Sequence, residues 1–173
     1  MTDSERIKTA IERNKKALEL RPAIGCGTAV TKVRVRDGLT CDVEDGGWKL
    51  IADEGKSDGG NGEGPDPGVF GRAALGTCLA IGYMMWAAVR GVAITSLDVE
   101  VEADYDATGM YGIDDSKPAG WSAMRYTVNI ESPASESEIN ELIDYADKHS
   151  SLLYAFTQPL PVERTVNITA PVR

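Results

Sequence analysis

The chain alternates between two hydrophobic periods. Residues 4–20 carry Ile7, Ile11, Asn14 and Leu18 at steps of four, three and four, with Ala10 and Ala17 beside them. This spacing predicts a helix with one narrow apolar stripe, started by Asp3 or Ser4 and stopped at Pro22. A stripe this narrow suits a surface helix or one that docks a partner. The period then drops to two. Val33 and Val35 alternate with Lys32, Arg34 and Arg36; Leu39, Cys41 and Val43 continue after Asp37-Gly38; Trp48, Leu50 and Ala52 follow Asp45-Gly46-Gly47. Three strands joined by tight turns, each burying alternate side chains, form a β-meander.

Residues 53–68, DEGKSDGGNGEGPDPG, keep neither period. Glycine, proline and acids predict a flexible loop, and a loop of this length is either functional or a plain connector. Residues 69–89 are apolar on every face, with 17 uncharged residues from Ala73 to Val89 between Arg72 and Arg90. That length is near the lower limit for a bilayer span. The surrounding amphipathic strands offer cover, so the segment is expected to be a buried core helix ended by Gly91 rather than a membrane span.

Strict alternation returns in Leu97, Val99, Val101 and Ala103 against Asp98, Glu100, Glu102 and Asp104, and again in Met124, Tyr126, Val128 and Ile130. Ser135 and Glu138 form a capping box ahead of Ile139, Leu142, Ile143 and Ala146. A short helix over about 150–157 and a final strand holding Val166 and Ile168 complete the order α-βββ-α-ββ-αα-β. Antiparallel runs without βαβ alternation give an α+β fold.

Composition narrows the functions. The 173 residues hold 27 acidic and 18 basic side chains, a net charge of −9. Such a chain repels phosphate backbones, so nucleic acid is not an expected partner. The N-terminus lacks an apolar signal region. Three cysteines at irregular spacing, Cys26, Cys41 and Cys78, do not form a disulfide framework, which suggests a reducing, cytoplasmic setting. One histidine, His149, completes neither a zinc quartet nor a triad, and no cofactor motif is present. The acidic strand face reads as solvated surface. Cys41 falls in phase with the core, Cys26 sits between glycines, and Cys78 lies inside the apolar helix, where position alone predicts a packed thiol of raised pKa.

The segment Pro67-Gly68-Val69-Phe70-Gly71-Arg72-Ala73-Ala74-Leu75-Gly76-Thr77-Cys78-Leu79-Ala80 resembles the central-helix motif of the OsmC/Ohr family. Arg90-Gly91-Val92-Ala93-Ile94-Thr95-Ser96-Leu97-Asp98-Val99-Glu100-Val101 resembles that family's helix exit and following strand, and the likeness extends over about 28–170. The resemblance implies an OsmC-like α+β fold, with antiparallel sheets wrapped around a long buried central helix in an intertwined homodimer. The chain is then one domain over 1–173, an N-terminal helix (1–22) followed by the OsmC-like core (23–173).

The same resemblance makes Cys78 the peroxidatic cysteine of a thiol-dependent hydroperoxide reductase serving oxidative-stress defence. Ser150, in His149-Ser150-Ser151-Leu152, stands where the family has its resolving cysteine. Gly68 and Val69 replace its glutamate pair, and Arg34 and Arg36 lie on the strands that carry its thiolate-stabilising arginine. Serine forms no disulfide, so the implied cycle uses one cysteine, an organic hydroperoxide and a small thiol or dithiol reductant. The alternative is a non-catalytic OsmC-like protein that binds a small apolar ligand in the dimer pocket, with Met84, Met85 and Trp86 as lining. Neither reading calls for a cofactor, a metal, nucleic acid or a membrane.

Overall fold

The computed structural model describes residues 1–170. Helix α1 (Asp3–Leu20) starts one residue ahead of the spacing estimate. Its cap is Thr2, whose hydroxyl accepts the Glu5 N–H while the Glu5 carboxylate accepts the Thr2 N–H, so two otherwise unpartnered donors are satisfied. Strands β1 (Lys32–Asp37), β2 (Thr40–Asp45) and β3 (Trp48–Ala52) form the expected antiparallel meander. Gly38 and Gly46 take the left-handed conformation that its tight turns require.

The meander departs from expectation in burial. Every residue of β1 is exposed, and Val33 and Val35 remain over 60% accessible. Within one chain β1 is left uncovered, so its alternation marks a face without an internal partner. Cys41 is only half-buried, and its thiol points to the Leu39 carbonyl at 3.6 Å.

The loop after β3 is more organised than its composition predicts. A 3₁₀ turn (Lys56–Asp58) lies within it, and it folds around Asp53, which is 2% exposed. The Asp53 carboxylate accepts the N–H groups of Glu54, Asn61 and Glu63 and the Thr40 hydroxyl. Asn61 closes the ring by donating to Thr40 at 2.9 Å. A Cβ on Gly60 would run into the Glu54 carbonyl, and one on Gly64 into that of Ile51. The glycines therefore allow close backbone packing rather than free movement.

Helix α2 (Pro67–Arg90) is the centre of the fold. Asp66 caps it through the Val69 N–H, Pro67 occupies its first turn, and Gly91 ends it at φ 72°. It packs on α1, on the two-stranded sheet of β4 (Ser96–Tyr105) and β5 (Trp121–Glu131), on α3 (Glu136–Lys148) and on α4 (Ser151–Thr157). A single helical turn, Ala107–Met110, interrupts the β4–β5 connection. Burial on α2 follows one stripe: Leu75, Leu79, Tyr83 and Ala87, joined by Ala88. The opposite side, with Ile81 59% accessible and Met84 exposed, is bare within one chain. The helix is thus buried along one face and not all round, as its composition had suggested. By length and composition it is the one helix among the described residues able to cross a membrane.

The β4 acids form a solvated face, as expected. Arg125 on β5 binds Glu102 through two bonds and Asp104 through a third. Beyond α4 the described residues, up to 170, take no regular secondary structure, and Val166 and Ile168 pair with no strand. The expected final strand is therefore not formed among the described residues: alternation alone does not make a strand where no sheet edge is engaged.

Candidate functional site

The Cys78 side chain leaves α2 beside the junction of α3 and α4. His149 ends α3, where its backbone N–H reaches the Ala146 carbonyl. Its Nδ1–H donates to the Tyr145 carbonyl at 2.6 Å and its ring stacks on Tyr145. Ser150 then caps α4, accepting the Leu153 N–H at 3.2 Å. A structural role for the histidine and a capping role for the serine follow from local backbone needs alone.

The cap also faces the sulfur. Ser150 Oγ lies 3.4 Å from Cys78 Sγ, and Ser151 Oγ lies 3.8 Å away. Ser150 is buried and Cys78 half-buried. Burial pushes the thiol pKa up. The Ser150 hydroxyl, the Leu152 N–H, and the hydroxyl and N–H of Ser151 outweigh it, and the net result lies below the ordinary thiol value. Donors aimed at a sulfur favour its anion. The packed, raised-pKa thiol expected from position alone is therefore not what the fold builds. The stabilisation comes from hydroxyls and backbone amides rather than from a cation.

Arg34 and Arg36 are not brought to this sulfur within one chain. Both lie on the exposed β1, and Arg36 is engaged by Asp42 at 3.2 Å and by Glu63. Among the described residues no arginine lies within hydrogen-bonding distance of Cys78 Sγ. Gly68 and Val69 lie in the first turn of α2, where a Cβ on Gly68 would meet Asp66 and Arg72. No group of acids, histidines and cysteines among the described residues is arranged to hold a metal.

Among the grooves along α2, two are lined by large apolar side chains. One, of about 540 Å³, is lined by Ile7, Ile81, Met84, Met85, Ile94 and Leu97. The expected lining role thus falls to Met84 and Met85, while Trp86 packs edge-on to Tyr145 at 4.8 Å. The other, of about 660 Å³, lies where Leu75, Trp121, Tyr126, Leu153 and Phe156 converge.

Sequence reasoning did not find Ser151, Tyr83, Tyr126 or Asp147 as parts of this region. Tyr83 Oη and Tyr126 Oη both donate to the Asp147 carboxylate, each at 2.7 Å. The signal was present: Asp147 sits four residues after Ile143 on the apolar stripe of α3, and Tyr83 four after Leu79 on that of α2.

The family model for OsmC-like proteins matches residues 60–165, more than half of the chain, including Cys78, Ser150 and Ser151. The chain belongs to the OsmC-like protein family. An OsmC-like protein of Mycoplasma pneumoniae superposes with a TM-score of 0.65 at 17% identity, over 76% of this chain and 88% of that one. The organic hydroperoxide resistance protein OsmC of Legionella pneumophila gives 0.53 at 17% identity, over 75% and 89%. At such identities the likeness establishes the OsmC-like fold, and the site must be argued from its own geometry. No curated protein matches the chain in sequence.

Proposed function

We propose that the protein is a one-cysteine, thiol-dependent hydroperoxide reductase, with Cys78 as the reacting thiol. The observation that carries this reading is the convergence of the Ser150 hydroxyl, the Ser151 hydroxyl and the first backbone amides of α4 on the Cys78 sulfur. The Cys78 thiolate attacks the outer oxygen of an organic hydroperoxide. The O–O bond breaks, the sulfur becomes a sulfenic acid, and the alkoxide leaves and takes a proton to form the alcohol. A first small thiol displaces water from the sulfenic acid to give a mixed disulfide. A second releases Cys78 and leaves as the small-molecule disulfide. Ser150 donates to the anion but supplies no second sulfur, so the reductant enters from solution.

Assembly as an intertwined homodimer belongs to the same reading. It is supported by the uncovered β1–β3 sheet, by exposed Trp48 and Leu50, and by the bare side of α2 at Ile81 and Met84. A second copy would cover these faces, which is why we assign the apolar length of α2 to an assembly core and not to lipid. A cytoplasmic location fits the three unpaired thiols. The oxidative-stress role rests on the family, one of whose members bears the name of an organic hydroperoxide resistance protein.

The test is turnover of an alkyl hydroperoxide with excess dithiol. Wild type consumes peroxide and Cys78→Ser does not. A Cys78 that stays a free thiol when the hydroperoxide is added without the dithiol overturns the reading. A second reading, non-catalytic binding of a small apolar ligand, is favoured by the groove at Met84 and Met85. Native mass spectrometry that finds apolar material retained on an unreactive protein would select it.

A further inference from the structure

Asp147 touches neither the sulfur nor any groove, yet it joins three elements behind the site. Its carboxylate accepts Tyr83 Oη from α2 and Tyr126 Oη from β5. Its own carbonyl accepts the Ser150 N–H at 3.1 Å. Tyr83 follows Cys78 by little more than one helical turn and is 0% exposed. One residue therefore ties the buried stripe of α2, little more than a turn along the helix from Cys78, to the backbone of the serine that faces the sulfur. The only other side-chain hydrogen bond from α2 to α3 is Arg90 to the Glu141 carbonyl, nearer the far end of α3.

We propose that Asp147 is a positioning residue for Cys78: bridging Tyr83 and Tyr126, it holds the α3–α4 junction on α2 so that Ser150 and the first turn of α4 meet the sulfur. The inference rests on the reading of Cys78 as the reacting thiol. The Ser151 hydroxyl at 3.8 Å is near the outer limit of a bond to sulfur and the Ser150 hydroxyl stands at 3.4 Å, so drift of the junction loses the first and weakens the second. The bridge also lasts through the pH range in which a thiol titrates. Tyr126 is pushed up to about 12 by burial and by Asp147, and burial raises Tyr83 further, so both phenols remain donors. The groups facing Asp147 are Tyr83 on α2 and Tyr126 on β5. Those facing the sulfur are Ser150 and Ser151, and no charged side chain is within bonding reach of it among the described residues.

The test is the pH profile of Cys78 alkylation by iodoacetamide in a Cys26→Ser, Cys41→Ser background, where one thiol remains. The parent is expected to show a midpoint below the ordinary thiol value of about 8.5. Asp147→Ala should raise it by about one unit, a tenfold loss of thiolate at neutral pH. Tyr83→Phe with Tyr126→Phe should do the same while leaving α3 unaltered, and decides the matter if Asp147→Ala does not fold. Ser135→Ala, which weakens the distant start of α3, should lower the melting temperature and leave the midpoint in place. A parent midpoint at the ordinary value overturns both this inference and the reading of Cys78. A low parent midpoint that folded Asp147→Ala or the double phenylalanine variant leaves unmoved overturns the positioning role alone, as does an equal shift in Ser135→Ala.

Discussion

Replacing Ser150 with cysteine should give this chain an internal resolving thiol. The structure places Ser150 Oγ 3.4 Å from Cys78 Sγ. A disulfide needs about 2.05 Å, so side-chain rotation must close little more than an ångström. The pair is separated by 72 positions in sequence. On the loop-entropy estimate, a crosslink of that span removes about 4 kcal/mol of unfolded-state freedom. The substitution also removes the cap on α4, which costs about 1 kcal/mol in the reduced form. The oxidised S150C protein should therefore melt about 8–16 °C above the same protein reduced, and the reduced form a few degrees below wild type.

The assay is a pair of thermal melts with intact-mass analysis after one equivalent of alkyl hydroperoxide. The expected product has lost two hydrogens and holds no adduct. Its next turn no longer requires an external thiol to remove the sulfenic acid, and excess peroxide should over-oxidise it more slowly than wild type. Folded S150C that yields only sulfinic acid or mixed disulfide would refute the geometry, because two sulfurs in those positions would react with each other first.

Asp53→Asn should weaken the loop at neutral pH and lose that effect in acid. Burial raises the Asp53 carboxyl, but the Glu63 N–H, Thr40, and the Glu54 and Asn61 N–H groups together hold it below its ordinary value. A lowered folded-state pKa gives stability that is present above the unfolded value, about 3.9, and lost as pH falls through the folded one. Urea melts of both proteins should differ at neutral pH and converge below about pH 4; a constant gap would reject the account. Leu79→Ala, at a position 1% exposed in the centre of the α2 stripe, should cost about 3 kcal/mol and lower the melting temperature by about 6–12 °C by calorimetry.

Periodicity predicted the elements and their order because each needs only local information. The Ser135–Glu138 box, the strict alternation of β4 and the glycine after Arg90 are complete signals within a few residues. Two classes of feature were not legible. The first depends on what covers a face. The alternation of Val33 and Val35 says that one side is apolar, and the α2 stretch is apolar on all sides, but neither says whether the cover comes from the same chain. The exposed β1, the bare Ile81 and the unpaired Val166 and Ile168 are one result: apolar positions that the chain's own fold leaves uncovered.

The second class depends on contacts across the chain. Cys78 was readable as a candidate only through its motif, and its position alone pointed to an inert thiol. What reverses that is a helix start 72 positions away, and capping chemistry explains why a serine there suffices. A residue that caps α4 must direct its oxygen at the first-turn amides. The same geometry gathers N–H groups and a hydroxyl at one point, and the fold sets Cys78 against that point. A serine at position 150 offers no disulfide partner and still supports the anionic form of the sulfur. On the proposed reading the site activates its nucleophile without a resolving sulfur, and placing a sulfur at position 150 makes the two properties separable in one protein.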